Sequence, residues 1–162
     1  MPQVICQLSS EQQLDRAVVV IRAAFRTVAE QFDLTEQNCP SHPSFMTAAQ
    51  LRAELDNGMK LYGLFQDDCL LGTVGLKQPE EDKYSLERLA VLPEYHRQGC
   101  GRKLVEFICE TTKVRGGRRV GIAIINEHTT LKAWYTKLGF NEVELKQFAH
   151  LPFTVCFMEK AF

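Results

Sequence analysis

The stretch Leu89-Ala90-Val91-Leu92-Pro93-Glu94-Tyr95-His96-Arg97-Gln98-Gly99-Cys100-Gly101-Arg102 reads as the end of a strand, a turn and the start of a helix. Glycines at 99 and 101 let the backbone approach a ligand closely and take conformations that a side chain forbids. The free N–H groups of a helix N-terminus sit at the positive end of its dipole and suit a phosphate. Arg97 and Arg102 add positive charge. Two nucleotide-binding signatures are excluded, because no G-x-x-x-x-G-K-[ST] occurs and the third glycine of G-x-G-x-x-G is missing.

Upstream of this turn, residues 83–92 alternate as a strand, preceded by short apolar stretches at 60–66 and 69–76 around Asp67-Asp68, a hairpin signal. Further back, residues 3–8 alternate weakly. Ser10-Glu11-Gln12-Gln13 reads as a capping box that opens a long amphipathic helix over 11–32. Pro40 and Pro43 break the chain, Thr47 to Gln50 repeats the capping signature, and Asn57-Gly58 offers a stop for a second helix. Downstream, Gly99 to Val114 reads as a helix ending at Gly116-Gly117, and Val120 to Ile125 as a buried strand. Thr129 or Thr130 caps a short helix with the apolar face Leu131, Trp134, Tyr135 and Leu138, and strands at 142–148 and 154–160 follow. The order β-α-α-β-β-β-α-β-α-β-β predicts an α/β fold: a mixed, mostly antiparallel sheet with helices on both faces.

The sequence of 162 residues fits a single domain over 1–162, long enough to bury a core without metals or disulfides. A formal charge of -1 gives no field that points to nucleic acid or an anionic membrane. No apolar run reaches the roughly 20 residues of a spanning helix, and no signal-peptide pattern is visible, so the expected setting is cytoplasmic. The six cysteines are widely spaced with no C-x-x-C or Cys/His cluster, which predicts buried thiols and no metal site.

The quoted segment resembles the GNAT acetyltransferase superfamily. The resemblance lies in L-x-V-x-P-E-Y followed by His96-Arg97-Gln98-Gly99-Cys100-Gly101, similar to that family's Arg/Gln-x-x-Gly-x-Gly/Ala. It continues in Trp134-Tyr135-Thr136-Lys137-Leu138-Gly139-Phe140, similar to its Y-x-x-x-G-F. His96 departs from the pattern, standing where Arg or Gln is usual. The resemblance implies a GNAT-like fold and an acetyl-CoA-dependent N-acetyltransferase, with acetyl-CoA as co-substrate and a small-molecule or peptide amine as acceptor. It further implies a splayed strand whose backbone at Leu89, Ala90 and Val91 meets the pantetheine arm. The pyrophosphate would be held by N–H groups from Arg97, Gln98, Gly99, Cys100, Gly101 and Arg102. A homodimer is compatible with this reading, and a non-catalytic acyl-CoA-binding module is the rival.

Amine attack on a thioester needs a free amine and a proton for the departing thiolate. Tyr135 is the candidate acid, since the resemblance turns a tyrosine here toward the sulfur; on residue pattern alone it is an aromatic on an apolar helix face. Glu87 is the candidate base, because simple alternation places it on one face with Ser85, Leu89 and Val91. Glu127 and His128 are alternatives, and His128 stands where related sequences often carry a coenzyme-binding Asn. Lys113, Arg115, Arg118 and Arg119 form the one basic cluster, read as a solvated helix end or a ribose-phosphate contact. The acceptor groove is expected from Asn38 to Phe45 and His150 to Phe153, which brings in His42 and His150.

Overall fold

Two reciprocal caps set where the first helices begin. The Ser10 side chain accepts from the Gln13 N–H while Gln13 reaches back, and Thr47 and Gln50 do the same. In the computed structural model, which describes residues 2–162, the resulting helices are α1 (Glu11–Gln31) and α2 (Ala48–Asp56). They follow strand β1 (Gln3–Leu8) and precede β2 (Lys60–Gln66), β3 (Cys69–Lys77) and β4 (Lys83–Val91). Asp67 takes a left-handed φ of 54° in the β2–β3 hairpin, where Asp-Asp supplies the local turn chemistry. Then come α3 (Cys100–Val114), β5 (Arg119–Ile125), α4 (Thr129–Lys137), β6 (Asn141–Gln147) and β7 (Thr154–Ala161). The order matches the expectation element for element. One cap differs: His128, not a threonine, holds the N-cap position of α4, and its side chain makes no capping bond.

The strands form one sheet in the order β1-β2-β3-β4-β5-β7-β6. Every neighbour pair is antiparallel except β4–β5, which is parallel. Helices α1 and α2 pack on one face, where Leu14, Ala17, Ile21 and Leu51 meet Leu8, Leu61 and Leu70. Helices α3 and α4 pack on the other, where Leu104, Ile108 and Tyr135 meet Leu71, Val74, Leu86 and Ile122. Fully burying a Leu or Ile such as Leu104 or Ile108 contributes roughly 1.5–3 kcal/mol. A third cluster joins Ala29 and Leu34 to Ile125, with Val28, Phe32, Leu151 and Phe153 against it, and ties the end of α1 to the far end of β5.

The six cysteines are free thiols: Cys39, Cys100, Cys109 and Cys156 are buried, Cys6 and Cys69 exposed. Among the described residues no helix is long and apolar enough to cross a membrane.

Two irregularities of β4 position the site. Its pairing with β5 is confined to Lys83↔Arg119, Tyr84↔Val120 and Ser85↔Gly121, so beyond Ser85 the strands part. Opposite β3, Glu87 pairs with Gly75 but Ala90 pairs with Thr73, which makes a bulge at Arg88, whose φ is 49°. The bulge corrects the simple alternation expected for this strand. Glu87 lies on the α1–α2 face, where its Cβ adjoins the same space beside Gly75 as the Met59 sulfur. Val91 and Leu89 pack into the α3–α4 cluster instead. One extra residue in the ladder reverses the sense of everything after it.

Candidate active site

Where β4 and β5 part, a cleft of about 550 Å³ opens and passes between the two faces of the sheet. Its floor is β4 from Leu86 to Val91 and β5 from Ile122 to Ile125. One mouth is the turn into α3, with Arg97, Gly99, Cys100, Gly101 and Arg102. The other is closed by Phe25, Val28, His42, Pro43 and Phe153.

At the first mouth the backbone is arranged for an anion. Arg97 has φ 64° and Gly99 φ 82°, so the turn is built from left-handed residues. The first bond of α3 runs from Lys103 N–H to the Gly99 carbonyl at 3.0 Å, leaving the N–H groups just before it without helical acceptors. A Cβ on Gly99 would meet nothing within 4 Å, so this glycine opens directly on free space. Gly101 differs. A Cβ there would lie 3.3 Å from Trp134 Cζ2 and 3.4 Å from Cη2, so its missing side chain makes room for the α4 indole. Arg102 is exposed and paired with Glu106 at 2.8 Å.

Along the floor, Leu92 donates to the Leu71 carbonyl at 2.9 Å while Val91 stands opposite Gly72. In an antiparallel ladder this turns the Val91 N–H and carbonyl away from β3, into the gap. The His96 Nε2 lies 2.9 Å from that carbonyl. The histidine that replaces Arg or Gln thus ties the turn to the strand, a contact the sequence reading did not foresee. The Val91 N–H is left facing the opening. An open glycine, free helix-end N–H groups and an outward strand amide fit a phosphate-bearing, amide-bearing coenzyme.

Tyr135 projects from α4 into the middle of the cleft, 4% exposed, its ring edge-on to Trp134 and Phe140. Burial pushes its hydroxyl well above the usual tyrosine range, so the proton stays on. The hydroxyl has no hydrogen-bond partner among the described residues, yet the enclosed orphan atoms are Thr112 Oγ1 and Arg119 Nε. It therefore opens on the cleft. Glu87 lines the same cleft and accepts from the Ser85 hydroxyl at 3.2 Å. Arg88 beside it makes a two-pronged bond to Glu54 from Nε and Nη2, and its carbonyl accepts from Thr73 at 3.1 Å, which pins the bulge.

The profile of the acetyltransferase (GNAT) family matches residues 25–140, well over half of the sequence and the whole of this cleft's β4–α4 frame. The chain belongs to the GNAT acetyltransferase family. It is similar, at 33% identity over 66 residues, to the [ribosomal protein bS18]-alanine N-acetyltransferase of Escherichia coli K12. That match covers 41% of this chain and 45% of that protein, so the chain spans about half the length of the curated relatives it matches. Among solved structures it resembles the PaiA N-acetyltransferase of Thermoplasma acidophilum in complex with coenzyme A, with TM-score 0.82, 21% identity and 100% of both chains covered. The ribosomal-protein-S18-alanine N-acetyltransferase of Escherichia coli gives TM-score 0.75 and 20% identity over 99% of this chain and 94% of that one. At such identities the structural likeness speaks for the fold.

Other expected residues of this GNAT chain fall elsewhere. Lys113 in the last turn of α3 and Arg115, Arg118 and Arg119 after it lie at the far end of that helix, about 20 Å or more from the Gly99 turn at 1.5 Å per residue. There Arg119 pairs with Glu80 and Glu159, and Lys113 with Glu110 and the Phe162 ring, which agrees with the solvated-helix-end reading of the cluster. Glu127 accepts from the Thr154 N–H at 3.2 Å and holds the start of β7; it is not in the cleft wall. His128 is in the wall, with its ring 5.4 Å from Phe32 and its pKa lowered by burial. His42 lines the cleft, whereas His150 is exposed and outside it. Phe25, Val28 and Arg88 were missed by sequence reading. The first two look like ordinary helix-core positions, and nothing local marks a bulge.

Proposed function

We propose that this chain transfers an acetyl group from acetyl-CoA to a primary amine, by direct attack within a ternary complex. The observation that carries the reading is convergence. Tyr135 from α4 and Glu87 from β4 face one cleft whose mouths differ, one lined by free N–H groups and the other by apolar side chains. Acetyl-CoA supplies an activated acyl carbon when bound. The Gly99 turn and the Val91 N–H would hold the coenzyme, alongside Leu89, Ala90 and residues 97–102. The amine nitrogen bonds to the acyl carbon, the carbon–sulfur bond breaks, and the thiolate takes up a proton. Glu87 accepts the ammonium proton through water, and Tyr135 donates toward sulfur. His128 lines the wall as a packing or coenzyme contact. Six unpaired thiols agree with a reducing, cytoplasmic setting.

The acceptor class includes protein amino termini, because the relatives matched at 33% identity are named for an alanine of a ribosomal protein. The rival is an acyl-CoA-binding module without turnover. The test is release of free thiol from acetyl-CoA in the presence of an amine panel of small amines, amino-acid amides and peptides. Thiol release that requires one of these amines is expected. Tight coenzyme binding with no amine-dependent release favours the module.

Glu87→Gln separates the base from its rivals. The substitution keeps size and hydrogen bonding but removes proton uptake. Its kcat/KM is expected to fall most at acidic to neutral pH, where the acceptor is mostly ammonium, and to approach wild type at alkaline pH. A pH–rate profile parallel to wild type moves the role to His128, ahead of the already engaged Glu127.

A further inference from the structure

His42 sits where the loop after α1 closes the apolar mouth of the cleft, 7% exposed, its ring edge-on to Phe25 at 5.6 Å. Its Nδ1 accepts from the Ser44 backbone N–H at 3.3 Å and lies 2.7 Å from the Ser44 hydroxyl. A backbone N–H can only donate, so this pairing calls for an Nδ1 without a proton, and a neutral ring so paired carries its one proton on Nε2. Burial and the nearby Arg88 charge keep the ring neutral, with a pKa lowered to about 4. Nε2 has no partner among the described residues and is not one of the enclosed orphan atoms, so it faces the cleft. The fold therefore sets an N–H donor beside Phe25, Val28 and Phe153, the other polar side chains near it in the lining being Thr27, whose hydroxyl donates to the Ala24 carbonyl, Arg88 and His128.

A donor in such a wall discriminates by what it leaves unmet. An acceptor with an oxygen at the right place satisfies it, and one without leaves a desolvated N–H unpaired. Arg88 spends Nε and Nη2 on Glu54, and Glu87 is the one carboxylate among the described residues of the cleft wall. A polyamine would thus bring its second ammonium against a donor and a cation, with no further carboxylate to receive it.

We propose that His42 Nε2–H is a specificity-determining donor that selects primary amines bearing a carbonyl oxygen on the neighbouring carbon, such as amino-acid amides and peptide amino termini, over polyamines and simple alkylamines. The inference rests on the transferase reading above and names the substrate class of that same site.

The experiment measures thiol release from acetyl-CoA with alaninamide, alanyl-alaninamide, 2-aminobutane and spermidine, with kcat/KM expressed per free amine so that the protonated fraction cancels; the remaining basicity difference favours the alkylamines and so works against the expected result. For wild type, the two carbonyl-bearing amines are expected to exceed 2-aminobutane and spermidine by more than about tenfold. In His42→Phe, which keeps a ring of similar shape, that ratio is expected to shrink to within about threefold, the range left once a single hydrogen bond is lost. Nitrogen NMR of the histidine rings, which needs no variant, is expected to place the His42 proton on Nε2. Equal rates for the two classes, a preference for spermidine, a ratio preserved in folded His42→Phe, or a proton on Nδ1 overturns the proposal. No thiol release with any amine, while calorimetry shows coenzyme bound, overturns the transferase reading and this proposal with it. Turnover without carbonyl preference overturns this proposal alone.

Discussion

Tyr135→Phe is expected to lower kcat by about tenfold to a hundredfold while leaving the affinity for acetyl-CoA nearly unchanged, at the lower end of what acid–base groups contribute. The change removes one oxygen. The ring keeps its edge-on contacts, 4.9 Å to Trp134 and 5.4 Å to Phe140, so the α3–α4 core stays filled. A packing role alone therefore predicts wild-type turnover, and the hydroxyl's role is read cleanly. Burial raises its pKa, which makes it a weaker acid than a thiol in water. Enclosure in the cleft would raise the pKa of a departing thiol as well, so the two would be better matched inside than outside. In the proposed mechanism the hydroxyl would act first as a hydrogen-bond donor to developing charge on sulfur and then as the source of its proton. Steady-state kinetics with the best acceptor, beside calorimetric titration of the coenzyme, checks both halves. Unchanged turnover in a folded variant would leave Tyr135 as packing.

What could be read from sequence was what the chain settles locally. Ser10 and Gln13 are three residues apart and meet each other wherever the helix lies, as do Thr47 and Gln50, so the boundaries of α1 and α2 were legible. The Gly99 turn was legible for the same reason, and so was Tyr135, four residues before its own C-terminal Gly139 at φ 100°. The bulge at Arg88 was not. It exists only as a mismatch of β4 against β3, and Ser85, Glu87, Leu89 and Val91 read as unbroken alternation when β3 is not beside them. The consequence is chemical. Glu87 belongs to the side of the sheet with His42 and Phe25, where an acceptor would enter, and Val91 to the side of the Gly99 turn. The basic run was legible in its plainer sense: Lys113 to Arg119 stand at the C-terminal end of α3 and just after it, as a solvated helix end would. His42 looked like any loop histidine until Ser44 and Phe25 were seen around it.

Gly101→Val is expected to weaken acetyl-CoA binding by tenfold to about a hundredfold or more, with the fold retained. Sequence reading assigned both glycines of the turn to close approach by a ligand. The structure separates them. At Gly101 a Cβ would already crowd the Trp134 indole at 3.3 Å and reach within 3.9 Å of Val91 Cγ2, and valine adds two methyl groups beyond it. Overpacking of this kind costs about 1–3 kcal/mol, and Trp134 and Val91 both line the cleft. If that strain is relieved by moving the indole into the opening, it appears as lost coenzyme affinity, with tenfold for each 1.4 kcal/mol. At Gly99 no protein atom lies within 4 Å, so Gly99→Ala meets only the penalty of a left-handed φ of 82°, about 1 kcal/mol. Any loss of affinity beyond that in Gly99→Ala reports direct contact between the turn and the phosphates. The two variants therefore divide one motif into its two physical parts. Calorimetric titration of each, with circular dichroism to establish folding, is the measurement. Undiminished binding by folded Gly101→Val would show that the indole yields elsewhere and that the helix start tolerates a side chain facing α4.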